Sequence, residues 1–172
     1  MARKRNFFTV VVHAVFLLTL FVIQSMVFPY LMPHGIIPMI LPIAVAGTAI
    51  FEGSARGGVF GLFAGMLCDA SLNQPLILFT VMLTVMGLLI GALSDTLIAQ
   101  GFPSFLVTSL IVLVIVAFAQ MFSPLFIRGV NITLLLKTAL FQTLISVVFT
   151  LPLYFIVRAL GRSIQKNTRI LK

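Results

Sequence analysis

Residues 57–95 read GGVFGLFAGMLCDASLNQPLILFTVMLTVMGLLIGALSD, and this stretch decides the fold. Gly57, Gly61, Gly65 and Asp69 stand four apart, as do Gly87, Gly91 and Asp95. Two glycine-striped apolar segments therefore flank a short polar break at 71–75. In water, a glycine within a helix weakens it by roughly 1 kcal/mol relative to alanine. In lipid, a small-xxx-small stripe lets two helix backbones approach closely, so dispersion and weak hydrogen bonds hold them together. The expected unit is a tight helical hairpin with one carboxylate at each membrane face. Its striped residues serve helix packing or contact with a partner.

Composition extends that reading to the whole chain. The 172 residues suit one domain; 61% are hydrophobic and only 8% charged, with a mean hydropathy of +1.25. Soluble domains carry about 25% charged residues, so the chain is expected to be an all-α polytopic membrane protein. Eleven basic and three acidic residues give a net charge of +8. The basic residues cluster outside the apolar runs, where they set orientation in a membrane, and nucleic acid binding is not expected.

A spanning helix needs about 20 apolar residues. Six candidate spans follow, at 7–28, 36–51, 57–68, 76–93, 103–122 and 134–157, with a basic tail at 158–172. The first run is longer than a signal-peptide core of about 7–15 residues and lacks a small-residue cleavage site, so it is read as an uncleaved span. The segments at 36–51 and 57–68 are short for a ~30 Å core; they either span a tilted or thinned region or re-enter as a pair buried in protein. Pro29 and Pro33 are expected to end the first span, Pro75 to open the fourth, and Pro124 to end the fifth. With the N-terminus inside, nine lysines and arginines fall on the cytoplasmic side and two, Arg128 and Lys137, on the other. Both termini are then cytoplasmic. With no tryptophan in the chain, Tyr30 and Tyr154 are the expected interfacial aromatic residues.

Chemistry-bearing residues are sparse. The three carboxylates offer no catalytic pair, because Asp69 and Asp95 fall at opposite faces and Glu52 is expected to pair with Arg56 at a turn. Neither His13 nor His34 has an evident orienting carboxylate, and no phosphate-binding loop or metal-ligand spacing is present. The single cysteine, Cys68, excludes an intramolecular disulfide. No enzyme activity, cofactor or metal is expected. Gln24, Gln120 and Gln142 are the polar intramembrane residues; His13 and Gln24 are expected to face other helices, and the amide of Gln142 needs an outside partner in lipid. Thr138, Gln142, Ser146, Thr150 and Tyr154 form a polar series along the last span; its serines and threonines are expected to bond their own preceding turns. Beyond it, Arg158, Arg162, Lys166 and Arg169 are expected to contact anionic lipid, each worth about 1 kcal/mol at such a surface. Asp69 is read as bonding a neighbouring loop at Ser71 or Asn73, or a basic group on a partner.

The run G-G-x-x-G-x-x-x-G-x-x-x-D-x-S-x-x-x-P-L from Gly57, followed one helix later by G-x-x-x-G at Gly87 and Gly91, resembles the signature of the rod shape-determining protein MreD family. Ile77, Leu78 and Phe79 stand where that family usually has a glycine. The length, the charged N-terminus opening into a span and the basic tail agree as well. The resemblance implies a non-catalytic membrane scaffold of the bacterial cell-wall elongation complex, in the plasma (inner) membrane. Its implied partners are an MreC-like single-span protein and other elongation-complex proteins. It also implies a fold similar to the substrate-binding components of energy-coupling-factor vitamin transporters. A substrate-binding component of a small-molecule uptake transporter is the alternative function, which needs a pocket with convergent polar groups.

The orientation is directly testable. A Lys172→Cys variant in intact cells should stay unlabelled by an impermeant thiol reagent and become labelled on permeabilisation; labelling from outside would invert the topology.

Overall fold

A computed structural model describes residues 2–31, 37–72, 77–96, 101–128 and 132–169; side chains are described from Val11 to Gly161, apart from residues 72, 95–96, 122–123 and 126–128. The described chain is helical throughout, save for short connections. Helix α1 (Ala2–Val22) passes through a π turn (Ile23–Val27) into a short α2 (Phe28–Leu31). There follow α3 (Leu41–Glu52), α4 (Ser54–Leu72), α5 (Leu78–Thr96), α6 (Phe102–Arg128) and α7 (Ile132–Arg169). Three stretches, Val11–Leu31, Phe102–Met121 and Ile132–Gly161, are long and apolar enough to cross a membrane, and Leu41–Glu52 and Leu78–Ser94 are shorter apolar helices.

Helix directions alternate. His13 meets Glu52 while Gln24 meets Ile40, so α1 and α3 are antiparallel. Gly57 lies against Gly87, and Gly65 against Thr80, so α4 and α5 are antiparallel too. In α6 and α7, Phe105 packs on Tyr154 at 5.4 Å between ring centres. Helix α3 runs parallel to α7, with Met39 beside Ser146 and Gly47 beside Val157.

The expected second span is divided. Its helix begins only at Leu41; Ile37–Ile40 is not helical. Pro42, in the first turn, lacks a donor that the start of a helix would leave unpaired anyway. Twelve helical residues reach only ~18 Å, well short of a ~30 Å core, and the non-helical Ile37–Ile40 leads into them. Every residue from Leu41 to Ile50 is buried, and α3 is the central post around which α1 and α4–α7 stand. It stops at Gly53, whose φ of 87° and ψ of 178° suit glycine alone. The turn expected at 52–56 is thus a single residue, and α4 restarts at Ser54.

Other boundaries moved outward. The third span is the full α4, which continues through Ser71 and so takes in part of the expected polar break. Pro29 lies within α2 just past the π turn, and Pro124 lies inside α6, which continues to Arg128. The fourth helix starts at Leu78, and Pro75 falls outside the described residues. Helix α7 runs without interruption from Ile132 into the basic tail, through Pro152. At ~57 Å by helical rise, it outruns a bilayer core.

The hairpin of α4 and α5 is the closest helix pair. A Cβ on Gly61 would strike the Leu83 carbonyl, one on Gly65 the Thr80 backbone, and one on Gly87 the Gly57 carbonyl, each nearer than 3.0 Å. Gly91 is pressed likewise against Ser54, and Gly57 against Ala49 of α3. Of the two readings of the stripe, packing and partner contact, the packing one accounts for these positions. Ser54 Oγ donates to the Leu88 carbonyl (3.0 Å) and Ser94 Oγ to that of Ile50 (2.9 Å), stitching α3, α4 and α5 together at the Gly53 end.

Backbone cannot yield as a flexible side chain does, so even alanine is too large at these contacts. Gly61→Ala should destabilise the protein by about 1–3 kcal/mol, the usual cost of overpacking, seen as a lower Tm in detergent. Gly101→Ala should be tolerated, because a Cβ there would meet only Pro103 at 3.5 Å. Equal stability for both variants would refute the packing account.

Candidate functional site: the buried approach to the central helix

Non-helical backbone at membrane depth survives only where protein or enclosed water satisfies it. The segment Ile37–Ile40 meets that condition through side chains of two helices. Gln24, in the π turn, is buried at 8% exposure, and its Oε1 accepts from the N–H groups of Ile40 (2.9 Å) and Leu41 (3.1 Å). It caps α3 from outside, replacing the side-chain cap that Ile40 cannot supply. Widening a helix by one residue per turn redirects the side chains there; the π bond, from Phe28 N–H to the Ile23 carbonyl, encloses the residue that caps α3.

Helix α7 holds the other side. Ser146 Oγ accepts from Met39 N–H (2.9 Å) and donates to the Gln142 carbonyl (2.7 Å). Gln142 Nε2 donates to the Ile37 carbonyl (2.8 Å). Gln120 of α6 sets its amide nitrogen against Met39 Sδ. The three glutamines of the sequence analysis are thus one constellation around a single short segment. Of the polar series on α7, Thr138 does bond its own preceding turn, at the Leu134 carbonyl, whereas Ser146 does so and also holds Met39. Thr150 Oγ1 is buried without a partner.

Beside this segment lies a partly open crevice with about 10 Å³ of room for the centre of a water-sized molecule, lined by Met39, Leu113, Ala117, Gln120, Gln142, Thr143 and Ser146. Ligand pockets for metabolite-sized molecules run to about 300–1,000 Å³. The crevice is amide- and hydroxyl-lined, with no charged group, and suits water rather than a vitamin.

Asp69 forms a second clasp. Its Oδ1 accepts from Phe79 N–H (3.1 Å), and its Oδ2 from Thr80 N–H (2.9 Å) and Thr80 Oγ1 (2.6 Å). A carboxylate at the N-terminus of α5 satisfies donors left over by the helix and opposes its positive dipole end. Its partner is therefore the start of the next helix; Ser71 instead donates to the Leu67 carbonyl, and Asn73 lies outside the described residues.

A third cluster sits at the Gly53 end. Glu52, with a side chain 2% exposed, accepts from His13 Nε2 at 2.8 Å, and Arg56 Nη1 lies 3.5 Å from its other oxygen. The expected Glu52–Arg56 pair is present. The expectation that His13 lacks a carboxylate is overturned, because α1 and α3 are antiparallel and bring residues 39 positions apart together. Nearby, Tyr154 is not an interfacial residue. It is 4% exposed, with its ring among those of Phe51, Phe102 and Phe105. Its Oη accepts from Arg158 Nη1 at 2.7 Å, and the guanidinium carbon lies 5.4 Å from the ring centre. Arg158 is thereby turned toward the protein instead of being free for lipid. Tyr30 is 90% exposed, as expected of an interfacial residue. The side chains of Asp95, Arg162, Lys166 and Arg169 lie outside the described residues. Ser54, Ser94 and Ser146 were not singled out for contacts between helices; a lone serine in an apolar run carries no sequence signal that tells such a bond from one within its own turn.

Gln24→Leu should leave two buried backbone donors unpaired, each costing roughly 1–3 kcal/mol. The expected result is a larger fall in Tm than for Gln142→Leu, which orphans one carbonyl. Equal, small effects would mean that water replaces both amides. Among protein-family models, curated proteins and solved structures, none matches this chain.

Proposed function

We propose that this protein is a non-catalytic membrane scaffold of the MreD kind, acting in the cell-wall elongation complex of a bacterium. The observation that carries the reading is the α4–α5 hairpin. The residues that carry the resemblance, Gly57, Gly61, Gly65, Asp69, Gly87 and Gly91, all take part in one closely packed unit clasped at its turn end by Asp69. A motif whose members each have a mechanical role suits a protein that works as a rigid body.

Glycines enclosed within the hairpin are not available to a partner. The outward apolar face of α4, with Val59, Phe63 and Met66 about half exposed, offers the surface for a single-span helix of the MreC type. The alternation of helix directions gives both ends of the chain the same side, in keeping with cytoplasmic termini at the plasma membrane. A bundle of six main helices is also compatible with the fold of vitamin-transporter substrate-binding components. The small crevice favours the scaffold over the transporter reading.

Two measurements test the proposal in a rod-shaped bacterium that depends on this protein. Depletion should round the cells, and a photo-crosslinker replacing Phe63 should capture an MreC-like protein, while one replacing Val148 on α7 should not. Unchanged shape on depletion, or capture from Val148 alone, would overturn the assignment.

A further inference from the structure

Two buried hydroxyls lack a partner: Ser109 Oγ on α6 and Thr150 Oγ1 on α7, at 0% and 1% exposure. Neither takes the carbonyl of its own preceding turn, as Thr143 and Ser146 do. An unpaired buried hydroxyl is costly, and each instance in a folded protein calls for an explanation.

The register of the two helices puts them together. Phe105 stacks against Tyr154. One helical turn farther along each antiparallel helix come Ser109 and Thr150. One turn beyond stand Leu113 and Ser146, and beyond those Ala117 and Gln142, which line the crevice. Ser109 and Thr150 therefore face one another directly beneath it. Helix α3 covers the groove, with Gly47 over Phe105 at one end and Met39 over Ser146 at the other.

We propose that water is a bound component of this α3–α6–α7 junction. One molecule sits in the crevice beside Gln120 and Gln142, and one bridges the hydroxyls of Ser109 and Thr150 a helical turn below. A buried water needs two to four polar partners and about 10–15 Å³ of room for its centre; the crevice offers about 10 Å³ beside two amides and two hydroxyls, and Ser109 and Thr150 offer two unpaired hydroxyls. Charged ligands are disfavoured, because no ionised group lines the crevice. This inference is independent of the scaffold reading.

Two experiments on the full-length protein in detergent test it. The first is a double-mutant cycle of Ser109→Ala and Thr150→Val. Each single variant should lower Tm by roughly 2–5 °C. The double variant should fall little further, because either change already removes the shared bridge. Additive shifts would mean that each hydroxyl bonds its own helix, and raised Tm values that both are simply orphaned; either result overturns the proposal. The second experiment needs no variant. Radiolytic hydroxyl labelling of the wild-type protein should oxidise Met39, which is only 5% exposed, because water adjacent to it supplies the radical. An unlabelled Met39 beside a labelled Met66, at 50% exposure, would exclude water from the crevice.

Discussion

The fold depends on keeping four residues of non-helical backbone, Ile37–Ile40, satisfied inside an apolar helical bundle. An unpaired peptide group at that depth costs several kcal/mol. Gln24, Gln142 and Ser146 remove that penalty through four hydrogen bonds from side chains on two different helices. Helix α3 can start as late as Leu41 because of them: the non-helical approach finds its partners in these side chains. Its burial follows in turn, since a non-helical segment has to be enclosed by neighbours on every side. The central position of α3 and the arrangement of α1, α6 and α7 around it are thus consequences of one backbone requirement.

The hairpin solves a different problem. Between helices in lipid there is no hydrophobic drive, because lipid tails are as apolar as leucine. Close contact and polar bonds have to suffice. Glycines at 57, 61, 65, 87 and 91 let α4 meet α5 backbone to backbone, and Gly57 also lets α4 meet Ala49 of α3. The clasps then fix the ends. Asp69 closes one through the start of α5, and Ser54 and Ser94 close the other beside Gly53. Apolar side chains add little to specificity here, so the polar atoms at the two ends set the register.

Much of this was legible in the residues. Hydropathy placed the apolar helices, three of them long enough to cross a membrane, and the glycine spacing located the hairpin. The rule that an amide in lipid needs an outside partner applied to Gln142 and holds for Gln24 as well. Spacing along one helix could not say where those partners lie. Gln24 and Ile40 are 16 residues apart, His13 and Glu52 39, Met39 and Ser146 107. Each pair depends on helix direction and register together. The start of α3 was misplaced for a related reason. Ile37–Ile40 is as apolar as a helix, and hydropathy reports burial without reporting backbone conformation. Tyr154 misled in the opposite direction, since its position near a predicted interface outweighed a set of phenylalanines that only the tertiary fold assembles around it.

These two devices divide the surface of the molecule. Polar groups and glycines are directed inward, where they hold α3 and the hairpin, and the outward faces of α4 and α5 present valine, leucine, phenylalanine and methionine. A partner helix arriving from the lipid finds neither an amide nor a small-residue groove on the hairpin; it meets a fixed apolar relief. Recognition of such a relief rests on shape, and shape discriminates only if it does not deform. The backbone contacts along the glycine stripe supply that rigidity. The motif in residues 57–91 therefore fixes the spacing of exposed side chains such as Val59, Phe63 and Met66, the surface on which the proposed scaffold would meet a partner.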